Sequence, residues 1–120
     1  MAYTDNRVTS ATVASTSETA VGTINVPAGQ QWLITGIWSA HANGGGGTAR
    51  CTIDTLPSAN LVFPQNGDNS QWVGNYDPTP LNIAVNGSAE IKTYLTCASA
   101  TTGVGKVSIS YINQTGGITN

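Results

Sequence analysis

The chain has 120 residues, of which only 8% are charged, and a formal net charge of -2. An ordinary soluble domain carries about 25% charged residues, so Thr, Ser, Asn, Gln and Gly must cover most of this surface. The four basic residues, Arg7, Arg50, Lys92 and Lys106, are scattered and form no phosphate-tracking stripe, which argues against nucleic acid as a partner. No apolar run approaches the roughly 20 residues of a membrane span.

Residues 1–20 are rich in Ser and Thr, with Val8, Thr12 and Val13 the only hints of a strand. With so little to bury, this stretch is expected to be a loose edge strand or an arm that orders against a neighbour. It lacks the basic and apolar blocks of a signal peptide, so synthesis in a cytoplasm is expected.

Residues 20–26 read as a strand that Pro27 ends, because proline cannot donate to a sheet ladder. Pro27-Ala28-Gly29 then has the order of a tight turn. In the following stretch, Trp32, Ile34 and Trp38 occupy one parity and Leu33 and Ile37 the other. A strand apolar on both faces is usually central and covered on both sides. Gly36 in its middle suggests a bulge.

The glycine run after Asn43 predicts a flexible loop. It lacks the Lys-Ser/Thr that a phosphate-binding Walker loop requires. Ala49, Cys51 and Ile53 alternate with Arg50, Thr52 and Asp54, predicting a half-buried strand antiparallel to its predecessor across that loop. Leu61-Val62-Phe63 is a short apolar piece ended by Pro64. The polar stretch 65–70 is a loop with its turn at Asn66-Gly67, and 71–74 could form a short strand. Asn86-Gly87 is the strongest hairpin signal in the chain. It is expected to pair residues 81–85 with 90–98, turning Ile91, Thr93, Leu95 and Cys97 inward. Residues 106–112 form the last strand, in which Val107, Ile109 and Tyr111 share one parity.

These pieces predict an all-β protein: an antiparallel β-sandwich, jelly-roll-like, with about eight strands and no significant helix. The expected organisation is an arm or edge strand over 1–20, a sandwich over 21–112 and a flexible tail over 113–120.

Enzymatic constellations are nearly absent. His41 is the only histidine, and neither cysteine lies near it in sequence. One cysteine pair and one histidine supply no zinc-ligand spacing. Cys51 and Cys97 could pair if their strands are suitable neighbours; with no export signal legible, reduced and buried thiols are the expectation. Asp68 and Asp77 would serve as a glycosidase pair only if the fold united them. Asn66-Gly67-Asp68-Asn69 matches no EF-hand spacing. No catalytic residue, cofactor or metal is therefore expected. Trp72 and Tyr76 flank a loop; if exposed rather than buried under the sandwich edge, they could stack on sugars or anchor an interface.

The order of pieces resembles that of small virion proteins of tailed bacteriophages. The resemblance is carried by the Ser/Thr-rich start, by Ile24-Asn25-Val26-Pro27-Ala28-Gly29 leading into the Trp32–Trp38 strand, and by Lys106-Val107-Ser108-Ile109-Ser110-Tyr111-Ile112. It implies a β-sandwich used in symmetric assemblies: capsid decoration (cement) proteins, fibre parts or neck components. The leading expectation is a decoration protein, not an enzyme, on the virion's capsid surface. Its partners would be the major capsid protein and further copies of itself, as a homotrimer at threefold or quasi-threefold positions. A ligand that binds only the assembled lattice stabilises it by mass action. The expected contact residues are Tyr3 and Arg7, the loop Asn43, Gly44, Gly45, Gly46 and Gly47, and Trp72 and Tyr76 as anchors. The alternative is a carbohydrate-binding or structural sandwich of a fibre or neck that recognises the host surface.

Overall fold

A computed structural model of the chain describes residues 4–14, 16–42, 47–55, 60–64, 79–97 and 102–114. Among these there is no helix. The strands are β1 (Thr4–Val13), β2 (Thr19–Asn25), β3 (Gln31–His41), β4 (Thr48–Ile53), β5 (Asn60–Pro64), β6 (Thr79–Asn86), β7 (Glu90–Thr96) and β8 (Gly103–Asn113). They form two antiparallel sheets, ordered β1-β8-β3-β6 and β2-β7-β4-β5.

The two sheets meet over one core. The first contributes Val13, Trp32, Ile34, Ile37, Val85, Val107, Ile109 and Tyr111. The second contributes Val21, Ile24, Ala49, Cys51, Ile53, Ile91 and Leu95. Each large side chain so buried supplies about 1.5–3 kcal/mol. The alternation read for β4 and β7 is that observed: Ala49, Cys51 and Ile53, then Ile91, Thr93, Leu95 and Cys97 are all buried, and so are Val107, Ile109 and Tyr111, which share one parity of β8. β8 pairs with both β1 and β3, and its outward Ser108 and Ser110 are buried as well.

β3 is buried on both parities from Ile37 to His41, as a central strand should be, but its faces divide differently from the alternation in sequence. The register slips between Ile34 and Gly36 against both β6 and β8. That bulge adds one residue to the period, so Trp32, Ile34 and Ile37 all enter the core while Trp38 turns to the outer face. The glycine signalled the bulge; which residues it re-aimed was not legible from a strict period of two. A similar slip between Ala20 and Gly22 in β2 puts Val21 and Ile24 on the same buried face.

Two expected pairings are corrected. Asn86-Gly87 does not close a hairpin: β6 pairs with β3 in the first sheet, whereas β7 pairs with β2 and β4 in the second. The connection crosses between the sheets, with Gly87 N–H donating to the Gln30 carbonyl at 2.7 Å and Ala89 N–H to the Asn86 carbonyl at 3.1 Å. Likewise β4 does not pair with β3 across the glycine loop but lies between β5 and β7. In both cases the signal in sequence is local, whereas the pairing follows from which sheet covers the strand's apolar face.

A small polar network crosses the core between the sheets. The Thr9 hydroxyl on β1 donates to the Val107 carbonyl at 2.9 Å, and the Thr93 hydroxyl on β7 donates to the Gly22 carbonyl at 3.1 Å. The two hydroxyls lie 2.8 Å apart. Burial without partners would cost each of these groups about 1–3 kcal/mol; here each has one.

Candidate functional site: the Arg7–Trp32–Tyr111 end of the sandwich

The strand directions divide the connections between two ends. The start of β3, the ends of β6 and β8 and the start of β1 lie at one end, which we call the Trp32 end. His41, Val13, Gly103 and Thr48 lie at the other, the His41 end. Of the expected contact residues, Arg7 and Gly47 are described; Tyr3, Asn43, Gly44, Gly45, Gly46, Trp72 and Tyr76 lie outside the described residues, as do the 65–70 loop and residues 71–74. Arg7 belongs to the Trp32 end, whereas Gly47 precedes β4 at the His41 end. β8 spans the whole distance between these ends in 11 residues, about 3.4 Å each. Among the described residues, Arg7 and Gly47 therefore sit toward opposite ends of the sandwich.

At the Trp32 end a connected group of side chains closes the core. The rings of Trp32 and Tyr111 stack with centroids 3.8 Å apart and planes 13° from parallel. Arg7, on the inward parity of β1, reaches over this stack with its guanidinium 5.6 Å from the Trp32 ring centre. Its Nε–H donates to the Tyr111 hydroxyl at 3.2 Å, and that hydroxyl donates to Asp5 Oδ2 at 3.3 Å. Beside them Trp32 Nε1–H and Asn113 Nδ2–H both donate to Gln30 Oε1, at 2.9 and 3.2 Å. The bond to Tyr111 raises the Arg7 pKa above its ordinary value, so Arg7 is charged at every working pH. Chemically this is a cap: it lets the sheets end on polar groups while the two large rings stay dry. Tyr111 shares the parity of Val107 and Ile109 in the sequence, and the structure buries all three. Its neighbours Asp5 and Gln30 carried no signal, since they lie 106 residues and a whole sandwich length of chain away from it.

The outer face of the second sheet carries a second polar group. Arg50 is cross-strand from Tyr94, with its guanidinium 4.1 Å from the ring centre. It also makes a two-pronged ion pair with Glu18, Nε to Oε2 and Nη2 to Oε1, both at 2.7 Å. Arg50 holds the Glu18 carboxyl below the usual carboxylate range. This contribution is complete above the ordinary pKa of about 4.3 and is lost as pH falls through the lowered one. Because both groups are partly exposed, it is worth about 0.3–1 kcal/mol. Glu18→Gln should therefore remove a small part of the stability lost between pH 7 and pH 3, read from urea midpoints at the two pH values. Equal losses in the variant and the parent would count against the pair.

Both cysteines are free and buried, and burial pushes the Cys51 thiol up to about 11 and raises that of Cys97 as well. Neither should react with a soluble disulfide reagent at pH 8 in the native state, and both should react in denaturant. Rapid native labelling of either would contradict their burial. His41 is also buried, with Nε2 2.9 Å from the Val13 carbonyl. Among the described residues no group of three or more His, Cys, Asp or Glu side chains could hold a metal ion, and no helix is long and apolar enough to cross a membrane.

These features define a class, an all-β protein of two antiparallel sheets. No protein-family model matches the chain, and no curated protein matches it in sequence.

Proposed function

We propose that this chain is a structural virion protein of a tailed phage, a decoration protein that binds the outside of the capsid lattice and stabilises it. We further infer that the sandwich is a jelly roll. The observation that carries the fold part of this reading is the strand order. With β1-β8-β3-β6 facing β2-β7-β4-β5, the connections β2–β3 and β6–β7 cross between sheets, which is the wrapping of two interleaved Greek keys. The functional part rests on the virion-like order of sequence pieces together with a surface poor in charge, which costs little to desolvate in a large assembly. Low charge also fits the described outer faces, where Thr and Ser recur and Arg50 is already paired with Glu18.

The host-recognition alternative draws no support from the described aromatics. Trp32, Trp38 and Tyr111 are buried, and Tyr94 is half-buried beneath Arg50, so none of them offers the open face that sugar stacking needs.

The test is co-sedimentation of the purified protein with intact and emptied capsids of the phage that encodes it, with the copy number counted on the shell. The decoration reading expects saturable binding in lattice-wide stoichiometry and a raised temperature of capsid disruption. A few copies at one vertex, or no binding, would overturn it in favour of a fibre or neck part.

A further inference from the structure

Of the four outer strands of the two sheets, three carry features that obstruct addition of another strand. β6 contains Pro80, β5 is only five residues long and ends in Pro64, and β2 is broken by the register slip between Ala20 and Gly22. Proline, short length and bulges are the usual protections of a sheet edge. β1 differs. It runs for 10 residues without Pro or Gly, pairs with β8 from Thr4 to Val13 with no slip, and has no described strand on its other side. Asp5, Asn6, Arg7, Val8, Ser10 and Thr12 along it are all exposed. Val8, at 60%, is the most exposed large apolar side chain among the described residues, and Val104 on the adjoining β8 is 43% exposed on the same face.

We propose that β1 is a self-association edge: two copies of this chain join β1 to β1 in antiparallel register about a two-fold axis at Val8, merging their first sheets into one. This goes beyond the proposed function, and its test involves no capsid, so either can fail without the other.

The sequence of β1 selects a second copy and this register. A two-fold axis perpendicular to the sheet pairs each residue only with residues of its own parity, because opposite residues share a face. Centring the axis on Val8 pairs residues 4–12 of the two copies. Val8 then meets Val8, Asn6 meets Ser10, Arg7 meets Thr9 and Asp5 meets Ala11, with no like charges opposed. Centring it on Arg7 opposes two guanidinium groups, which is destabilising. Centring it on Thr9 sets Asp5 against the buried Val13. Centring it on Asn6 pairs Asp5 with Arg7 but leaves only residues 4–8 in register. Inward-pointing charges usually blunt an edge. Here both charges are already bound within the chain, Arg7 to the Tyr111 hydroxyl, and Asp5 to that hydroxyl and to the Asn6 N–H, the latter at 2.8 Å. Such isologous pairing closes on itself as a dimer, whereas a trimer built through β1 would need it to seat on a different edge, and each of those is obstructed.

The experiment is light scattering coupled to size exclusion on the full chain, with two variants at an exposed position that leaves the core untouched. The parent should elute at twice the 12.3 kDa chain mass. Val8→Arg, which opposes two cations on the axis, should elute as a monomer with unchanged circular dichroism. Val8→Cys should form an interchain disulfide on mild oxidation, since opposed Cβ atoms about 4.5–5.5 Å apart need to close by only about 1 Å to reach disulfide geometry, and Thr12→Cys should not. A parent that is monomeric at about 100 μM, where even a pair with a Kd of about 10 μM would be mostly associated, would overturn the proposal. So would a trimer, a dimer that survives Val8→Arg, or a Val8→Cys variant that forms no interchain disulfide.

Discussion

Replacing Trp32 by alanine is expected to remove about 3–5 kcal/mol of folding stability, the largest effect of any single change argued for this protein. Trp32 is fully buried at the start of β3, stacks on Tyr111 at 3.8 Å, and carries Arg7 over its ring. Truncation opens a cavity at the end of the sandwich. It also removes the donor to Gln30 Oε1 and leaves Tyr111, and the Arg7 and Asp5 groups bonded to its hydroxyl, without the surface on which they are ordered. A domain of this size has a total stability of about 5–15 kcal/mol, so the loss is a large share of the whole. Urea unfolding followed by far-UV circular dichroism measures the loss. Trp32→Phe keeps the stacked ring and gives up the indole N–H, so its cost should be much smaller, about 1–2 kcal/mol. Equal losses for the two variants would show that the hydrogen bond, and not the packing, holds this end together.

The second large effect is expected at Gly105. This glycine lies in β8 on the core face, between His41 of β3 and the adjoining end of β1, and it faces Leu95 of the opposite sheet. A Cβ there would stand 2.7 Å from Leu95 Cδ2 and 2.9 Å from Val13 Cγ2, closer than carbon atoms approach. Gly105→Ala should therefore cost about 1–3 kcal/mol by overpacking, although alanine suits an extended backbone better than glycine does. The sign of the interaction with Leu95 provides the check. Leu95→Ala alone opens a cavity and costs about 2–5 kcal/mol. Combined with Gly105→Ala, it removes the atom that the new methyl strikes, so the double variant should be more stable than the sum of the two losses predicts. Strict additivity would mean that the sheets separate to admit the methyl and that the contact at Gly105 does not set their spacing.

How closely the two sheets approach is set by a few residues. At Gly22 an added Cβ would stand 2.9 Å from Thr9 Cβ and Cγ2, so the edges β1 and β2 close against each other at a point where neither has room for another carbon. The Thr9–Thr93 hydroxyl pair lies beside that contact. Glycine in a strand usually marks close approach of another backbone or a bulge. In this sandwich Gly22 and Gly105 mark the approach, and Gly36 marks a bulge.

The sequence by itself determined the class of fold and most of the inward parities. Alternation in β4, β7 and β8 is a local property: with a period of two, one face must be apolar, and Cys51, Ile91, Leu95, Val107 and Ile109 sit where that period puts them. The two-sided apolarity of β3 likewise declared a central strand, and its glycine declared a bulge. Tertiary structure alone decided which strands pair. Asn86-Gly87 reads as a hairpin because turn chemistry is local, yet β6 and β7 bury more by joining opposite sheets than by lying side by side. The glycine-rich stretch misled in the same way about β3 and β4. A bulge of one residue in β3 then exchanged the roles of Ile37 and Trp38, which no alternation rule can assign without knowing the partner strand. The cap at the Trp32 end was illegible for the same reason: Arg7, Asp5, Trp32 and Tyr111 meet only because β1, β3 and β8 lie side by side in one sheet, and adjacency is settled by the packing of the whole core.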